Sequence, residues 1–303
     1  MKRLRRLYSR SGHLDATAPF DFQKSLRFID GFRPLKGEQD TSDGMLTKAA
    51  MMDGQTLVFR VGAERGNGGV YYELLSGTPL NDGLVHRASE QVSFFLSLQD
   101  DLRQFYDIAS KDAKFFPTVK RLVGLHHVKF PSLFEVLCWA ILAQRSQMAV
   151  AKKAKDALTE RFGGRIEVDG TTYRAFPDYE TLRAAKVKDI LDATRNRRTT
   201  ERLSSLMSSF GDIDRDFLLN APYDKADERL KRIKGIGDWS AQFVLFRGLG
   251  RVERLRYNMG PVIRMMTDIY GAESKLEDIN ETYGRWSGYW SLYLWASTMS
   301  SLV

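Results

Sequence analysis

The residues from Leu230 onward, LKRIKGIGDWSAQ, form a motif whose chemistry follows from residue type and spacing. An apolar helix ends, Gly235-Ile236-Gly237 makes a tight hairpin, and a second helix begins near Asp238. The glycines permit close approach of a bound group, and main-chain amides at the start of the second helix can bind a phosphate. Ile236 is predicted to anchor the hairpin in the core. The alternative is an ordinary helical hairpin punctuated by glycine.

Basic residues accompany this hairpin and recur elsewhere in the chain. Lys234 and its neighbours Lys231 and Arg232 add positive charge beside the hairpin amides. Two further groups are candidates for contact with a polyanion backbone, although charge runs usually form solvated faces. They are Arg195–Arg198 (RNRR), and the group Lys152, Lys153 and Lys155.

The composition bounds the class of protein. Of the 303 residues, 43% are hydrophobic, which is enough to form a core. The formal net charge of +8 is compatible with a polyanionic partner. One cysteine, Cys138, excludes an internal disulfide and a four-cysteine metal site, and four histidines leave little for a histidine-based one. No run of 18 apolar residues suggests a membrane span, and Met1–Arg10 lacks the apolar run of a secretory signal. A cytoplasmic protein is expected.

The elements that must position these residues fall into two parts. Thr56–Ala63 and Val70–Leu75 predict a β-hairpin, and Phe20–Ile29 suits a helix or a strand. After Asp100 no strand is predicted, and Phe130–Gly163 predicts two helices with a break near Gln144–Ser146. Further helices are predicted at Tyr179–Ala185, Thr199–Phe210, Ala226–Ile233, Ser240–Gly248, Gly260–Tyr270 and Trp286–Met299. The fold class is therefore α+β, with a sheet domain over 1–112 and a helical domain over 113–303.

Most of the chain resembles the helix-hairpin-helix DNA glycosylases, specifically the AlkA-like 3-methyladenine DNA glycosylases. The most specific match is Gly235–Gly250, the hairpin and the helix after it; Trp286–Trp295 departs from the family's closing Trp-x-Pro-x-Arg at Gly288 and Trp290. The other matching segments are Pro19–Phe32, Phe134–Ala151 and Phe176–Leu203. The resemblance implies an N-terminal antiparallel sheet domain shaped like the TATA-binding protein, followed by two helical lobes enclosing a cleft.

The same resemblance assigns roles in extruding a nucleotide from duplex DNA. A wedge must fill the gap that the nucleotide leaves, and Leu142 and Gln144, with Arg145 beside them, match that place. Simple core packing is the alternative for Leu142.

The extruded base must stack on aromatic faces. Trp239 and Phe243 lie one turn apart at positions where the family has pocket walls, and Tyr257 and Trp295 complete the predicted box. Without the resemblance, a core stripe would be the better interpretation of such spacing.

The predicted catalytic centre departs from the family, which places an Asp about ten residues after the Arg-Gly that closes the second hairpin helix. Ungapped counting from Arg247 puts Met259 there, and a shift of one residue puts Asn258 there instead. Neither is an acid. Asp238 is interpreted as a helix cap, and Glu253 and Asp268 are poorly placed substitutes. A Schiff-base lysine would stand two residues after Gly237, where the sequence has Trp239.

The resemblance implies a monofunctional glycosylase that hydrolytically releases alkylated or deaminated purines from damaged duplex DNA in base-excision repair. Without the acid, leaving-group chemistry favours slow release of cationic alkylpurines at most. The alternatives are a catalytically impaired lesion-binding protein of the same fold, or an unrelated basic protein that binds RNA or protein. No cofactor is expected, apart from a monovalent cation such as Na⁺ or K⁺ at hairpin carbonyls near Lys234. A monomer in the bacterial or archaeal nucleoid is expected, with no membrane partner.

Overall fold

The first part of the chain forms an antiparallel sheet. The computed structural model describes residues 7–64, 68–255, 260–299 and 302, and statements below about the structure refer to these residues. Five strands pair in the order β1-β5-β4-β3-β2. They are β1 (Tyr8–Leu14), β2 (Gln39–Asp40), β3 (Met45–Met52), β4 (Gln55–Ala63) and β5 (Val70–Ser76). The predicted hairpin is confirmed as β4 and β5, which pair in the register Val58 to Leu75.

The helices are α1 (Phe22–Gly31), α2 (Asp82–Leu96), α3 (Arg103–Ser110), α4 (Phe116–Leu122), α5 (Leu133–Leu142), α6 (Met148–Phe162), α7 (Tyr179–Arg183), α8 (Val187–Thr194), α9 (Arg197–Ser209), α10 (Arg215–Asn220), α11 (Tyr223–Lys231), α12 (Asp238–Phe243), α13 (Gly260–Tyr270), α14 (Leu276–Tyr283) and α15 (Ser287–Ala296). α1 lies between β1 and β2, and the other helices follow β5. α12 continues as a π-helical turn over Val244–Gly248. The α+β class is confirmed, and every predicted helix is present with its ends displaced by a few residues.

The helical interpretation of Phe20–Ile29 is the correct one. Asp21 caps α1 by accepting a hydrogen bond from the Lys24 amide at 3.2 Å, as acids do at helix starts. The predicted break between two central helices is also confirmed. Ser132 caps α5 by accepting from the Glu135 amide at 3.1 Å, and α6 starts at Met148.

The prediction that strands stop after Asp100 is wrong. A second hairpin, β6 (Gly164–Val168) and β7 (Thr171–Ala175), follows α6. Its apolar side chains, Ile166 among them, pack on the outer face of the first sheet, against Val58 and Leu75. Because side chains alternate between faces along a strand, the neighbours of Val58 point to the other face, where they join the main core with α1 and α2. The first sheet is therefore covered on both faces.

The main hydrophobic core runs from the sheet into the helices without a break. Phe105 of α3 packs on Tyr283 of α14 and on Tyr293 of α15, with ring centres 6.0 and 5.0 Å away. Asp112 accepts hydrogen bonds from the hydroxyls of Tyr270 and Tyr283. The domain boundary after residue 112 and the likeness to the TATA-binding protein stay predictions. No helix in the described part of the chain is long and apolar enough to cross a membrane.

Candidate nucleic-acid interface and base site

The hairpin between α11 and α12 is built on two buried isoleucines. Ile233 and Ile236 are 6% and 4% exposed, and the Ile236 amide donates to the Ile233 carbonyl at 2.9 Å. The prediction that Ile236 anchors the hairpin is confirmed. An anchored apolar turn leaves the glycines on either side of Ile236 to form the outer surface.

Gly235 and Gly237 serve different purposes. Gly235 has φ +98°, a conformation that side chains rarely adopt, and a Cβ there would lie 2.8 Å from Cγ of Arg202. Gly237 has φ −102°, and no described atom lies within 4 Å of the place where its Cβ would stand. Gly235 is therefore required by the fold, whereas Gly237 leaves an open surface at the start of α12.

Asp238 is not the cap that the sequence predicted. The N-cap of α12 is Gly237, and the Asp238 carboxylate pairs instead with Lys231 at 2.5 Å. Lys231 also pairs with Asp227 at 2.5 Å, and the hydrogen bonds that its ammonium donates to these two carboxylates, the bond to Asp227 first, raise the pKa of Lys231. The charge of Lys231 is thus balanced locally, and the other exposed cations of the hairpin are Arg232 and Lys234.

Gln144 joins the loop after α5 to the hairpin. Its Nε2 donates to the Gly235 carbonyl and to Oγ of Ser240, the latter at 2.7 Å, while its Oε1 accepts from Nη1 of Arg202 at 2.5 Å. This amide is therefore engaged within the protein, which disfavours the predicted insertion of Gln144 into DNA. Leu142 is 4% exposed and lies in the core, which agrees with the alternative that Leu142 is a core-packing residue.

Three arginines form a cationic surface beside the hairpin, here called the arginine cluster: Arg145, Arg198 and Arg202. Arg145 is exposed and has φ +49°, which is uncommon for a residue other than glycine. Burial, followed by the charges of Arg198 and Arg145, lowers the pKa of Arg202. Like charges gathered in this way favour an anion. Arg198 belongs to the predicted RNRR segment, whose Arg197 pairs with Glu201 at 3.1 Å.

The lysine group of α6, a candidate for contact with a polyanion backbone, is largely engaged within the protein. Lys155 is fully buried and lies 2.7 Å from both Glu38 and Glu135. Lys152 pairs with Glu38 at 3.7 Å and with Asp156, so of the three lysines only Lys153 is exposed. Lys152 and Lys155 thus neutralise nearby carboxylates, and their ion pairs connect the segment before β2 with α5 and α6.

Two of the four residues predicted to form an aromatic box are in contact, and the box itself stays a prediction. Trp239 is 43% exposed and stacks on Phe243, with ring centres 5.4 Å apart and planes at 26°. Trp295 is half-buried and packs edge-to-face on Phe28 and Phe32 at 5.3 and 6.4 Å. The two halves are linked through Phe130, whose ring centre is 5.8 Å from those of Phe243 and Phe32. Tyr257 lies outside the described residues.

Sequence reasoning missed Arg247 as a site residue. Its guanidinium lies among the aromatic rings at the Trp295 end of this row, and the residue is 5% exposed. The available signal was spacing, because Trp239, Phe243 and Arg247 follow one another at intervals of four along a helical segment.

The predicted catalytic positions, Asn258 and Met259, lie outside the described residues. Of the substitute acids considered, Glu253 accepts a hydrogen bond from Nε of Arg251 at 2.6 Å, and Asp268 lies exposed near the end of α13. Asp238 is paired with Lys231, as described above. Two of these three carboxylates are thus engaged by cations, and the third is exposed.

The predicted monovalent cation would be bound by main-chain carbonyls of the hairpin. The Ile233 carbonyl accepts from the Ile236 amide and the Gly235 carbonyl accepts from Gln144, so two of them are already engaged. The cation near Lys234 stays a prediction that these contacts do not require. In the described residues no group of three or more His, Cys, Asp or Glu side chains is arranged to hold a metal ion.

Comparison with known proteins identifies the family. No family model matches the chain. The chain is 30% identical over 209 residues to the DNA-3-methyladenine glycosylase of Bacillus subtilis (strain 168), an alignment covering 66% of this chain and 69% of the relative. The chain belongs to the DNA-3-methyladenine glycosylase family. The resemblance inferred from the hairpin motif is thereby confirmed. As a member of this family, the chain is a DNA-repair glycosylase.

Solved structures agree with the fold of this glycosylase family. The 3-methyladenine DNA-glycosylase from Archaeoglobus fulgidus superposes with a TM-score of 0.75 at 22% identity, covering 96% of this chain and 99% of that one. The 8-oxoguanine glycosylase/lyase of Clostridium acetobutylicum, in complex with dsDNA containing cytosine opposite to 8-oxoG, gives a TM-score of 0.67 at 17% identity, covering 95% and 96%. At these identities the likeness concerns the fold alone.

Proposed function

We propose that this glycosylase is monofunctional: it binds damaged duplex DNA, extrudes an alkylated or deaminated purine and releases that base by hydrolysis. One observation carries the proposal: the open glycine edge at Gly237 lies two residues before Trp239, an exposed aromatic face. The glycine edge allows a phosphate to approach main-chain amides, and an exposed indole can stack on a base. The two functions lie within three residues of each other on one surface.

Charge near this surface supports duplex DNA as the partner. Arg232 and Lys234 are exposed on the hairpin, and the arginine cluster lies beside Gly235 through Arg202. The Clostridium relative was solved with dsDNA, which agrees with this choice of ligand. With Leu142 buried and Gln144 bonded to the hairpin, Arg145 is the proposed gap-filling residue, because it is exposed in the same loop.

Release by hydrolysis rather than through a Schiff base follows from residue chemistry. A Schiff base requires an amine nucleophile, and the position two residues after Gly237 holds Trp239. Lys231 of the hairpin pairs with Asp227 and Asp238, which raises its pKa and keeps it protonated. Borohydride should therefore trap no covalent complex with DNA.

A lesion-binding protein without catalysis is the second candidate, and the absence of an acid at 258 and 259 favours it. A carboxylate near the sugar stabilises the cationic transition state, by analogy with O-glycoside hydrolysis. Single-turnover measurements on duplexes containing 3-methyladenine, 7-methylguanine, hypoxanthine or uracil separate the candidates. Base release on any of them supports the glycosylase. Lesion-specific binding without release supports the second candidate, and binding to none of them contradicts both.

A further inference from the structure

The arginine cluster holds positive charge that the protein does not neutralise. In the described part of the chain, Arg145, Arg198 and Arg202 form no ion pair with a carboxylate, and Glu201 of α9 pairs instead with Arg197 at 3.1 Å. The charges of Arg198 and Arg145 act on Arg202 strongly enough to lower its pKa, after burial. Three like charges gathered in this way repel one another, and an anion among them removes that cost.

α9 places two of these arginines in one line that begins at the hairpin. Arg198 and Arg202 are four residues apart, and side chains at that spacing lie on the same face of a helix, about 6 Å apart along its axis. At the Arg202 end, Cγ lies 2.8 Å from the place where a Cβ of Gly235 would stand, and Nη1 donates to Gln144 at 2.5 Å. Arg198 therefore lies one helical turn along α9 from the contact with the hairpin.

Side-chain hydrogen bonds fix the start of α9 in place. Asn196 caps the helix by accepting from the Thr199 amide at 3.0 Å. The Thr200 hydroxyl donates to the Asn196 carbonyl at 2.9 Å and lies 2.7 Å from the Thr194 hydroxyl. Arg198 is exposed in this first turn and is thus carried by an ordered backbone. A group that is positioned in advance loses less conformational freedom when it binds a ligand.

We infer that the arginine cluster is a second phosphate site, at which Arg198 and Arg202 bind a DNA phosphate other than the one at the hairpin. An arginine has five N–H donors, so the bond from Arg202 to Gln144 leaves donors for a ligand, and the guanidinium fork matches phosphate oxygens. A line of cations suits a strand, which carries a phosphate about every 3.4 Å along the duplex axis. The inference rests on the proposed function for its ligand, duplex DNA.

The second phosphate site has a definite task in nucleotide extrusion. Arg145, the proposed gap-filling residue, follows Gln144, whose amide nitrogen bonds to the hairpin and whose oxygen accepts from Arg202. The loop that enters the duplex is therefore attached to both phosphate sites. Phosphate contacts fix the register and orientation of a protein on DNA and carry no sequence information. The second phosphate site thus contributes equally to binding of damaged and undamaged duplexes.

Salt dependence tests the second phosphate site in the intact chain. Arg198→Gln removes the exposed charge, Arg198→Lys keeps one, and Arg197→Gln is the matched control, because it removes an equal charge that is paired with Glu201. Fluorescence anisotropy measures affinity between about 50 and 200 mM NaCl for an undamaged duplex and for one with 7-methylguanine on a 2′-fluoroarabino sugar, which slows cleavage. In Arg198→Gln the slope of log K against log salt should become shallower by about 0.9 on both duplexes, and it should stay near the wild-type value in the other two variants.

Failure of the inference and failure of the proposed function give different results. A slope in Arg198→Gln equal to that in Arg197→Gln overturns the second phosphate site, whatever the preference for the lesion. A loss confined to the lesion duplex also overturns it, because the arginine would then act on the base. If the slope changes as expected but the wild-type protein binds both duplexes equally, the second phosphate site stands and the lesion-specific function fails. Binding to neither duplex overturns both.

Neutral backbone linkages identify the phosphate that is bound. Single methylphosphonates, each of which removes the charge of one phosphate, are placed in turn along both strands around the lesion. At one linkage the losses from the methylphosphonate and from Arg198→Gln should be non-additive, and that linkage should differ from the one found in the same way with Gly237→Ala. Arg197→Gln should be additive at every linkage. Additivity of Arg198→Gln throughout, or one shared linkage for Arg198→Gln and Gly237→Ala, overturns the inference.

Discussion

The side-chain amide of Gln144 donates a hydrogen bond to the main-chain carbonyl of Gly235, 91 residues further along the chain. Through this bond, and through the bond to Ser240, the loop after α5 and the hairpin before α12 form one unit. Arg202 of α9 completes it by donating to the same side chain. The hairpin surface is therefore held by the partly buried amide of Gln144 as well as by the turn and its two isoleucines.

Replacing Gln144 by Ala should weaken both the fold and DNA binding. The change leaves the Gly235 carbonyl and Arg202 without this partner, which costs about 1–3 kcal/mol in the free energy of unfolding. Affinity should fall alike for damaged and undamaged duplexes, because the proposed hairpin contact is with the backbone, which both duplexes share. Urea unfolding and anisotropy measure the two effects. Gln147→Ala, an exposed amide of the same loop, is the control; if it behaves like Gln144→Ala, the anchoring role is wrong.

Gly237→Ala should lower DNA affinity while leaving stability nearly unchanged. Its φ is negative and a Cβ there meets no described atom, so only an external group would be obstructed. Gly235→Ala, by contrast, should lower the unfolding free energy by about 1 kcal/mol or more, because a side chain is strained at positive φ. Gly77→Ala, at another open and exposed glycine, controls for general effects. Unchanged affinity in a folded Gly237→Ala protein would remove the hairpin from the interface.

Trp239→Ala should weaken binding to lesion DNA and leave binding to undamaged DNA nearly intact. Stacking of a base on an aromatic ring contributes about 1–3 kcal/mol, whereas backbone contacts supply most nonspecific affinity. The exposed indole makes a large effect on folding unexpected. Anisotropy titrations on the two duplexes measure the difference, with Phe217→Ala as a control at another exposed aromatic residue. Equal losses on both DNAs would assign Trp239 to backbone contact.

Introducing an acid at position 258 or 259 should accelerate base release. A well-placed stabiliser of transition-state charge is worth roughly 10²–10³ in rate. Asn258→Asp and Met259→Asp are compared in single-turnover assays, and the faster variant identifies the register of the family's Asp. Brisk release by the unmodified protein, with no gain from either change, would mean that another group supplies the charge.

The buried carboxylate of Glu38 should make stability depend on acid pH. Burial acts to raise its pKa, but Lys155 and Lys48 outweigh burial and lower it from 4.5 to about 2. The folded state therefore binds fewer protons than the unfolded state, and this stabilisation is present above about pH 4.5 and is lost as the pH falls toward 2. Glu38→Gln should cost roughly 3–5 kcal/mol at pH 7 and remove that part of the acid dependence. Urea unfolding between pH 2 and pH 7 measures it; parallel pH profiles would contradict the assignment.

The local sequence pattern was sufficient to predict an element where a segment determines its own structure. The α5–α6 break, the hairpin around Ile236 and the strands β4 and β5 depend on nearby apolar spacing and turn residues. Several helices that were missed, such as α4 and α10, are short, and short helices are stabilised mainly by packing against distant elements. β6 and β7 were missed for the same reason, since their apolar residues are covered by strands formed 100 residues earlier in the chain. α2 was missed as well, although it has 15 residues.

Side-chain roles were harder to predict because partners far along the chain decide them. From the sequence alone, Lys155 would be interpreted as a surface cation, but in the structure it pairs with Glu38 and Glu135. From the sequence alone, Gln144 is a candidate for DNA contact, but in the structure its amide donates a hydrogen bond to the Gly235 carbonyl. Arg247 was passed over because an arginine in an apolar helix gives no sign of the rings that enclose it.

The outer covering of the first sheet has a consequence for synthesis of the chain. β5 ends at Ser76, but the hairpin that covers Val58 and Leu75 is complete only at Ala175. At roughly 5–20 residues per second, the ribosome needs on the order of 5–20 s to make the intervening chain. During that interval an apolar sheet face is open to water, and it is the face to which a chaperone would bind a nascent chain of this protein.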